Sequence, residues 1–294
     1  MRIGIYMFGI GSIAAGILDI VWGEFEPAHQ PVQAWGSHIP GIRIFAYIAA
    51  VWLIAGGAAM LWRTSLRFGA AALTVLYGIF VLFPLPRLYT APHYLGHRIP
   101  VYIGVLSGVC LEVILLVAAA IVWRSLAARG AHSQMLAFIA RWTFGLCSVI
   151  FGLTHLTAVS AVVPMLPKWM PLSGTFWVVL TGIAFILAGL AIVAGVLDVL
   201  AAWLLGWMLL VFSALALAPM IPASPHNHVA WGANAYNLTA VGSAWIVAAW
   251  LAVQKNRLQK LRDAQNEGTL LKEEQLDINL TSSLRSEGEL NGAG

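Results

Sequence analysis

The apolar positions of this chain neither alternate nor keep to one face of a helix; they run on for about 20 residues at a time, broken by short polar segments. About 20 consecutive apolar residues are what a helix needs to cross a bilayer. Eight stretches meet that length, some narrowly: 4–22, 42–62, 68–86, 100–123, 142–163, 174–196, 199–219 and 232–253. Each predicts a transmembrane helix. Proline pairs close the third and the seventh, Pro84 with Pro86 and Pro219 with Pro222, because proline cannot continue the backbone ladder. The first run follows a single Arg2 and leads to no small-residue cleavage pattern, so it is expected to stay as the first helix. After Val253 the pattern changes. Residues 254–263 extend the last helix with Leu258 and Leu261 on one side, and the polar, acid-rich sequence beyond Glu267 predicts disorder with no chemistry.

The pattern also repeats. Phe8-Gly9 returns as Phe144-Gly145 and Gly16 as Gly152, each 136 residues on. Pro40 and Phe45 return as Pro171 and Phe176, Pro84 as Pro219, Pro92-His93 as Pro225-His226, and Tyr102 as Tyr236. Spacing this regular over a long period marks an internal duplication. Each copy holds an even number of spans, so both start from the same side of the membrane. The expected fold is therefore all-α integral membrane, eight transmembrane helices as two parallel four-helix-bundle repeats. The first repeat covers 1–124, a cytoplasmic linker 125–137, the second repeat 138–253, and a tail 254–294.

Composition sharpens this. Charged residues make up 10% of the chain and hydrophobic ones 60%, whereas soluble domains carry about 25% charge. Seven of the twelve acids lie after Gln254, which leaves Asp19, Glu24, Glu26, Glu112 and Asp198 before it. The formal charge of +4 forms no basic stripe, so a nucleic-acid partner is excluded. Arg2, Arg63, Arg67, Arg124, Arg129, Arg141 and the Lys/Arg group after Lys255 fall on one side of the span series. By the positive-inside rule both termini are cytoplasmic, in the cell membrane. The turn at Asp198 holds no basic residue and favours neither side. Thirteen tryptophans read as an aromatic belt, Trp22, Trp35, Trp169 and Trp231 outside, Trp62, Trp123, Trp142 and Trp250 inside.

Few residues carry candidate chemistry. Glu112 lies in the middle of the fourth span, where a carboxylate is costly unless paired, protonated or wetted; the alternative is a structural hydrogen bond to a helix carrying Ser148 or Thr154. Asp19 and His155 hold matching places in spans one and five. Facing one cavity, they would suit proton transfer or the binding of a polar head; the alternative is a bond that fixes helix register. Tyr102, Asn234 and Tyr236 open the fourth and eighth spans and are expected at the cavity mouth, or as caps for loop backbone. His93 with His97 and His226 with His228 are weak metal candidates, since no Cys or acid joins them in their loops. His29 and His38 share the same outer face. Cys110 and Cys147 lie in separate apolar runs without C-x-x-C spacing, which argues against a thiol relay.

Phe151-Gly-Leu-Thr-His155, Val163-Pro-Met-Leu-Pro-Lys-Trp-Met-Pro171, Phe176-Trp177, Thr181-Gly182 and Ala188-Gly189 together resemble the DoxX/DoxD-like integral membrane family. Gly16-Ile-Leu-Asp19, His38-Ile-Pro40 and Ala55-Gly56-Gly57 are similar in layout, so the resemblance covers two copies across residues 4–253. It implies four-helix units and a link to thiosulfate:quinone oxidoreductase subunits and membrane redox complexes. The function expected on that basis is an accessory or redox-associated subunit in the lipid bilayer, holding a quinone or another lipid-soluble ligand. The alternatives are a small-solute or proton-coupled carrier, with Asp19, Glu112 and His155 as its proton path, and a purely structural membrane partner. The inner half of the spans is almost wholly apolar, which favours an outward-opening pocket over a through-path.

Overall fold

A computed structural model describes residues 1–26, 40–127 and 132–291, and among them every regular element is helical. The long helices are α1 (Arg2–Trp22), α2 (Ile42–Leu61), α3 (Leu66–Leu82), α5 (Ile99–Ala127), α6 (His132–Thr157), α8 (Gly174–Ala194), α9 (Asp198–Phe212) and α11 (His228–Asn291). Three short helices sit between them: α4 (Arg87–Leu95), α7 (Val159–Val162) and α10 (Met220–Ala223). Among the described residues, eight helical stretches are long and apolar enough to cross a membrane, which makes the chain a multi-pass membrane protein.

The boundaries follow local chemistry. Ser173 caps α8, its Oγ accepting from the Phe176 N–H at 3.1 Å and satisfying one of the donors a helix start leaves open. Gly195 ends α8 in the left-handed conformation, φ 72°, the usual glycine stop. Several expected ends shift, and the seventh stretch runs past Pro219 and Pro222 to Ala223. Pro84 and Pro86 interrupt the third span without ending it: α4 starts just after Pro86, so the apolar helical stretch reaches Leu95. Proline is tolerated at a helix start, where its missing N–H costs nothing. The fifth span stops at Thr157 instead of 163, and α7 with a 3-10 turn, Val163–Met165, leads onward through Pro164.

The chain divides into two units, Met1–Leu251 and Ala252–Gly294. In the second, α11 remains helical to Asn291, past the Glu267 at which the sequence predicted disorder. No proline follows Pro225, and the segment is rich in Leu, Glu, Gln and Lys, all strong helix formers. In the first unit, α1 packs on α2, α2 on α3 and α3 on α5, while α6 packs on α8, α8 on α9, and α5 on α6.

Glycines set the closest crossings. A Cβ on Gly57 would lie 2.6 Å from the Gly9 carbonyl oxygen, where α2 meets α1, and one on Gly189 would lie 2.5 Å from that of Gly145, where α8 meets α6. Residues without side-chain bulk let backbones come this close, which is how apolar helices gain contact in lipid. Gly4 and Gly242 do the same between α1 and α11. From α11, Trp245 also packs on Gly206 of α9, and Tyr236 reaches Glu112 of α5. This helix is therefore the most enclosed of the membrane stretches, as its buried run from Thr239 to Ile246 reflects.

Candidate functional site

The interiors of the two halves differ. Tyr77 fills the first, fully buried, its ring edge-on to Phe8 at 5.6 Å and to Phe80 at 6.0 Å, with its hydroxyl 2.9 Å from Ser12 Oγ. Phe25 adds edge contacts to Phe80 and Phe83. No such block closes the second half. A cavity of about 380 Å³ opens there among α5, α6, α8, α9 and α11, within the roughly 300–1,000 Å³ range of ligand sites.

His155 is the ionisable residue of that cavity. Its ring lies 5.2 Å from Phe185 and 6.4 Å from Phe212, centroid to centroid. Its Nδ1 is 2.8 Å from the Phe151 carbonyl oxygen. A carbonyl only accepts, so Nδ1 carries the hydrogen, and the neutral ring keeps its lone pair on Nε2. Ser107, Ser148, Thr181 and Asn237 bring the other polar atoms to a wall that is otherwise aromatic and aliphatic. The hydrogens of the last three are engaged: Ser148 donates to Phe144 O, Thr181 to Trp177 O, and the Asn237 amide to Leu209 O and Ser213 Oγ. The cavity therefore presents acceptors at His155 and these oxygens, with the Ser107 hydroxyl as its donor.

Asp19 is elsewhere. Its carboxylate is fully buried, and Oδ1 accepts from the Glu26 N–H at 2.9 Å. The imidazole of His228, stacked on Trp22 at 4.8 Å, lies 3.8 Å from that oxygen through Nε2 and 3.6 Å from Glu24 Oε1 through Nδ1. The expectation that Asp19 and His155 share one pocket is corrected. α1 turns its interior face to α2 and α11, whereas α6 turns its own to α5 and α8, so Asp19 and His155 point into different interiors.

Glu112 is also fully buried and faces protein, bonded by the hydroxyl of Tyr236 rather than by Ser148 or Thr154. Arg87, buried at the start of α4, lies within electrostatic range of Glu112 and Glu26. Asp19, Glu26, Arg87, Glu112 and His228 thus form an enclosed polar region between the first-half helices and α11, apart from the His155 cavity. Arg87, in the polar segment after Pro86, and His228, read from the sequence as a weak metal candidate, are both buried here.

The remaining candidates have local roles. Tyr102 pairs with His97, the hydroxyl 2.8 Å from Nδ1, and His93 lies edge-on to Tyr94. Asn234 donates to Leu217 O and Ala230 O, bracing the π-turn Ser213–Leu217 that follows α9. His226 is exposed. Among the described residues no three of His, Cys, Asp or Glu converge as a metal site. His29, His38 and Trp35 lie outside the described residues, and Trp250 is buried in the core instead of the belt. The thiols of Cys110 and Cys147, widely separated in sequence, meet as hydrogen-bond partners across α5 and α6.

No protein-family model, curated protein or solved structure matches the chain.

Proposed function

We propose that this chain is a redox-associated protein of the cell membrane that binds an uncharged, lipid-soluble ring compound of the quinone class in the cavity beside His155. The observation that carries the reading is the His155 ring, tied through Nδ1 to Phe151 O and flanked by Phe185 and Phe212. Two aromatic side chains suit a flat ring, and an Nε2 lone pair accepts from a ring hydroxyl. The reduced, hydroxylated form is the better match, since a quinone carbonyl offers nothing for a neutral Nε2 to accept. The resemblance to DoxX/DoxD-like proteins supports the redox setting and a membrane redox complex as the partner.

The proposal takes the halves as parallel repeats, 4–124 and 138–253, with both termini cytoplasmic. Supporting it, Gly9 with Gly57 and Gly145 with Gly189 form matching crossings. Ser12 bonds to Phe8 O as Ser148 bonds to Phe144 O.

The test is direct titration of the purified chain, in detergent, with a benzoquinone and its quinol, followed by tryptophan fluorescence. Quinol should bind more tightly than quinone, and His155→Leu should weaken quinol at least tenfold, the loss of about one well-made polar contact. Wild-type protein that binds neither form refutes the reading.

A second reading, a proton-coupled carrier, draws on the buried Asp19, Arg87, Glu112 and His228, since ionisable groups within spans commonly mark proton routes. Liposomes holding the chain should then acidify in response to a solute gradient, and Glu112→Gln should abolish the signal.

A further inference from the structure

A ring bound beside His155 needs a way in, and the second half has a cleft on its lipid-facing side. Between α8 and α9 a groove of about 510 Å³ is lined by Leu180, Ala184, Leu204, Trp207, Val211 and neighbours. Thr181, Met208 and Phe212 border both this groove and the His155 cavity, so the two spaces meet at a shared wall. The groove lies along two membrane-spanning helices, where exposed apolar side chains such as Leu204 and Val211 face acyl chains.

We infer that the ligand of the His155 cavity carries a long hydrocarbon tail and reaches the cavity sideways from the bilayer through the α8/α9 groove, where the tail stays. This rests on the ring-binding reading above.

Three observations select that occupant. The cavity, about 380 Å³, is near the small end of ligand sites, enough for a ring head but not for a long chain as well. The groove continues it at the shared residues and is apolar apart from Thr181, at the junction, and two indoles, that of Trp177, whose N–H is given to Pro171 O, and that of Trp207. A charged ligand would find no opposite charge along this route and a polar one few partners, whereas a hydrocarbon tail needs none. The arrangement thus sorts one molecule by parts: acceptors at the ring end, apolar wall at the tail end.

The experiment compares two probes on the full-length chain in nanodiscs: tetramethylhydroquinone, which has no tail, and a quinol with a ten-carbon tail. Two variants narrow the groove without touching the cavity, Ala184→Phe and Leu204→Trp; a third, Ala240→Leu, fills the cavity. Membrane partitioning of each probe is common to all proteins, so only ratios to wild type are read. The groove variants should weaken the tailed quinol at least about tenfold, equivalent to losing two buried methylenes, and leave the tailless one within about twofold. Ala240→Leu should weaken both. If either groove variant, folded by its thermal transition, binds the tailed probe as wild type does, or weakens both probes alike, the lateral route is overturned while the ring site stands. The first of those results is also what an ordinary bilayer acyl chain in the groove would give. Wild type that holds neither probe removes the ring site and the route together.

Discussion

The Tyr236 hydroxyl donates to Oε1 of Glu112, joining α11 to α5 between two residues that are both closed off from the surroundings. At this depth no water replaces a lost partner. The bond is therefore a fixed link between the fourth and eighth spans, and its removal leaves a carboxyl oxygen to its other neighbours, Arg87 among them.

Tyr236→Phe should lower stability by about 1–3 kcal/mol, the usual penalty for removing one partner of a buried polar pair. Glu112→Gln keeps an acceptor for the tyrosine and should cost less. Unfolding of the detergent-solubilised protein measures both; a Tyr236→Phe protein as stable as wild type would show that the bond contributes nothing.

The α1–α2 and α6–α8 crossings should respond alike to bulk. Gly57→Leu and Gly189→Leu each drive a side chain at a facing carbonyl, Gly9 O or Gly145 O, and overpacking of this kind costs about 1–3 kcal/mol or more. Gly108, with open space at its Cβ position, is the control. Equal yield and thermal stability for Gly57→Leu and Gly108→Leu would contradict the close packing.

Arg141 of α6 reaches across to Asp198 at the start of α9, Nη2 to Oδ2 at 2.7 Å, supplying the cation that the Asp198 turn itself lacks. Asp198 is fully buried but Arg141 is about a third exposed, so solvent screens the pair. A double-mutant cycle with Arg141→Met and Asp198→Asn should give a coupling of about 1 kcal/mol, above the typical surface pair and below a fully buried one. A coupling near zero would make the contact incidental.

Reporter fusions after Gln254 should report the cytoplasm, and insertions near Ser224 the opposite side. The motive is the Arg and Lys distribution. A C-terminal reporter on the outside would overturn the orientation.

What the sequence made legible was the set of spans, because a run of apolar residues is a property of one segment alone. Which segment faces which is a property of pairs. Asp19 and His155 sit at matching places, yet nothing in their spacing says that α1 turns toward α11 while α6 turns toward α5. The Tyr236–Glu112 bond joins two residues already singled out, 124 positions apart, but the pairing itself had no local signal. Arg87 was missed as a site residue, and His228 was singled out only as a weak metal candidate, for another reason: each borders a polar segment, and position along the chain suggested exposure. Charge balance could have found them. Buried acids such as Asp19 and Glu112 need nearby cations or donors, and few basic residues adjoin the outer ends of their helices.

The contrast between the Tyr77-filled interior and the hollow beside His155 has a consequence for how substitutions will be tolerated. In the first half, size is constrained in both directions: a smaller residue at Phe8, Tyr77 or Phe80 leaves a void, and a larger neighbour has nowhere to go. In the second half the constraint is one-sided. Larger residues at Ala240 or Leu205 can grow into empty space and even add packing, so selection for folding alone would steadily close that space. On the ring-binding reading, the substitutions that fill this space and add packing are the ones that close the site.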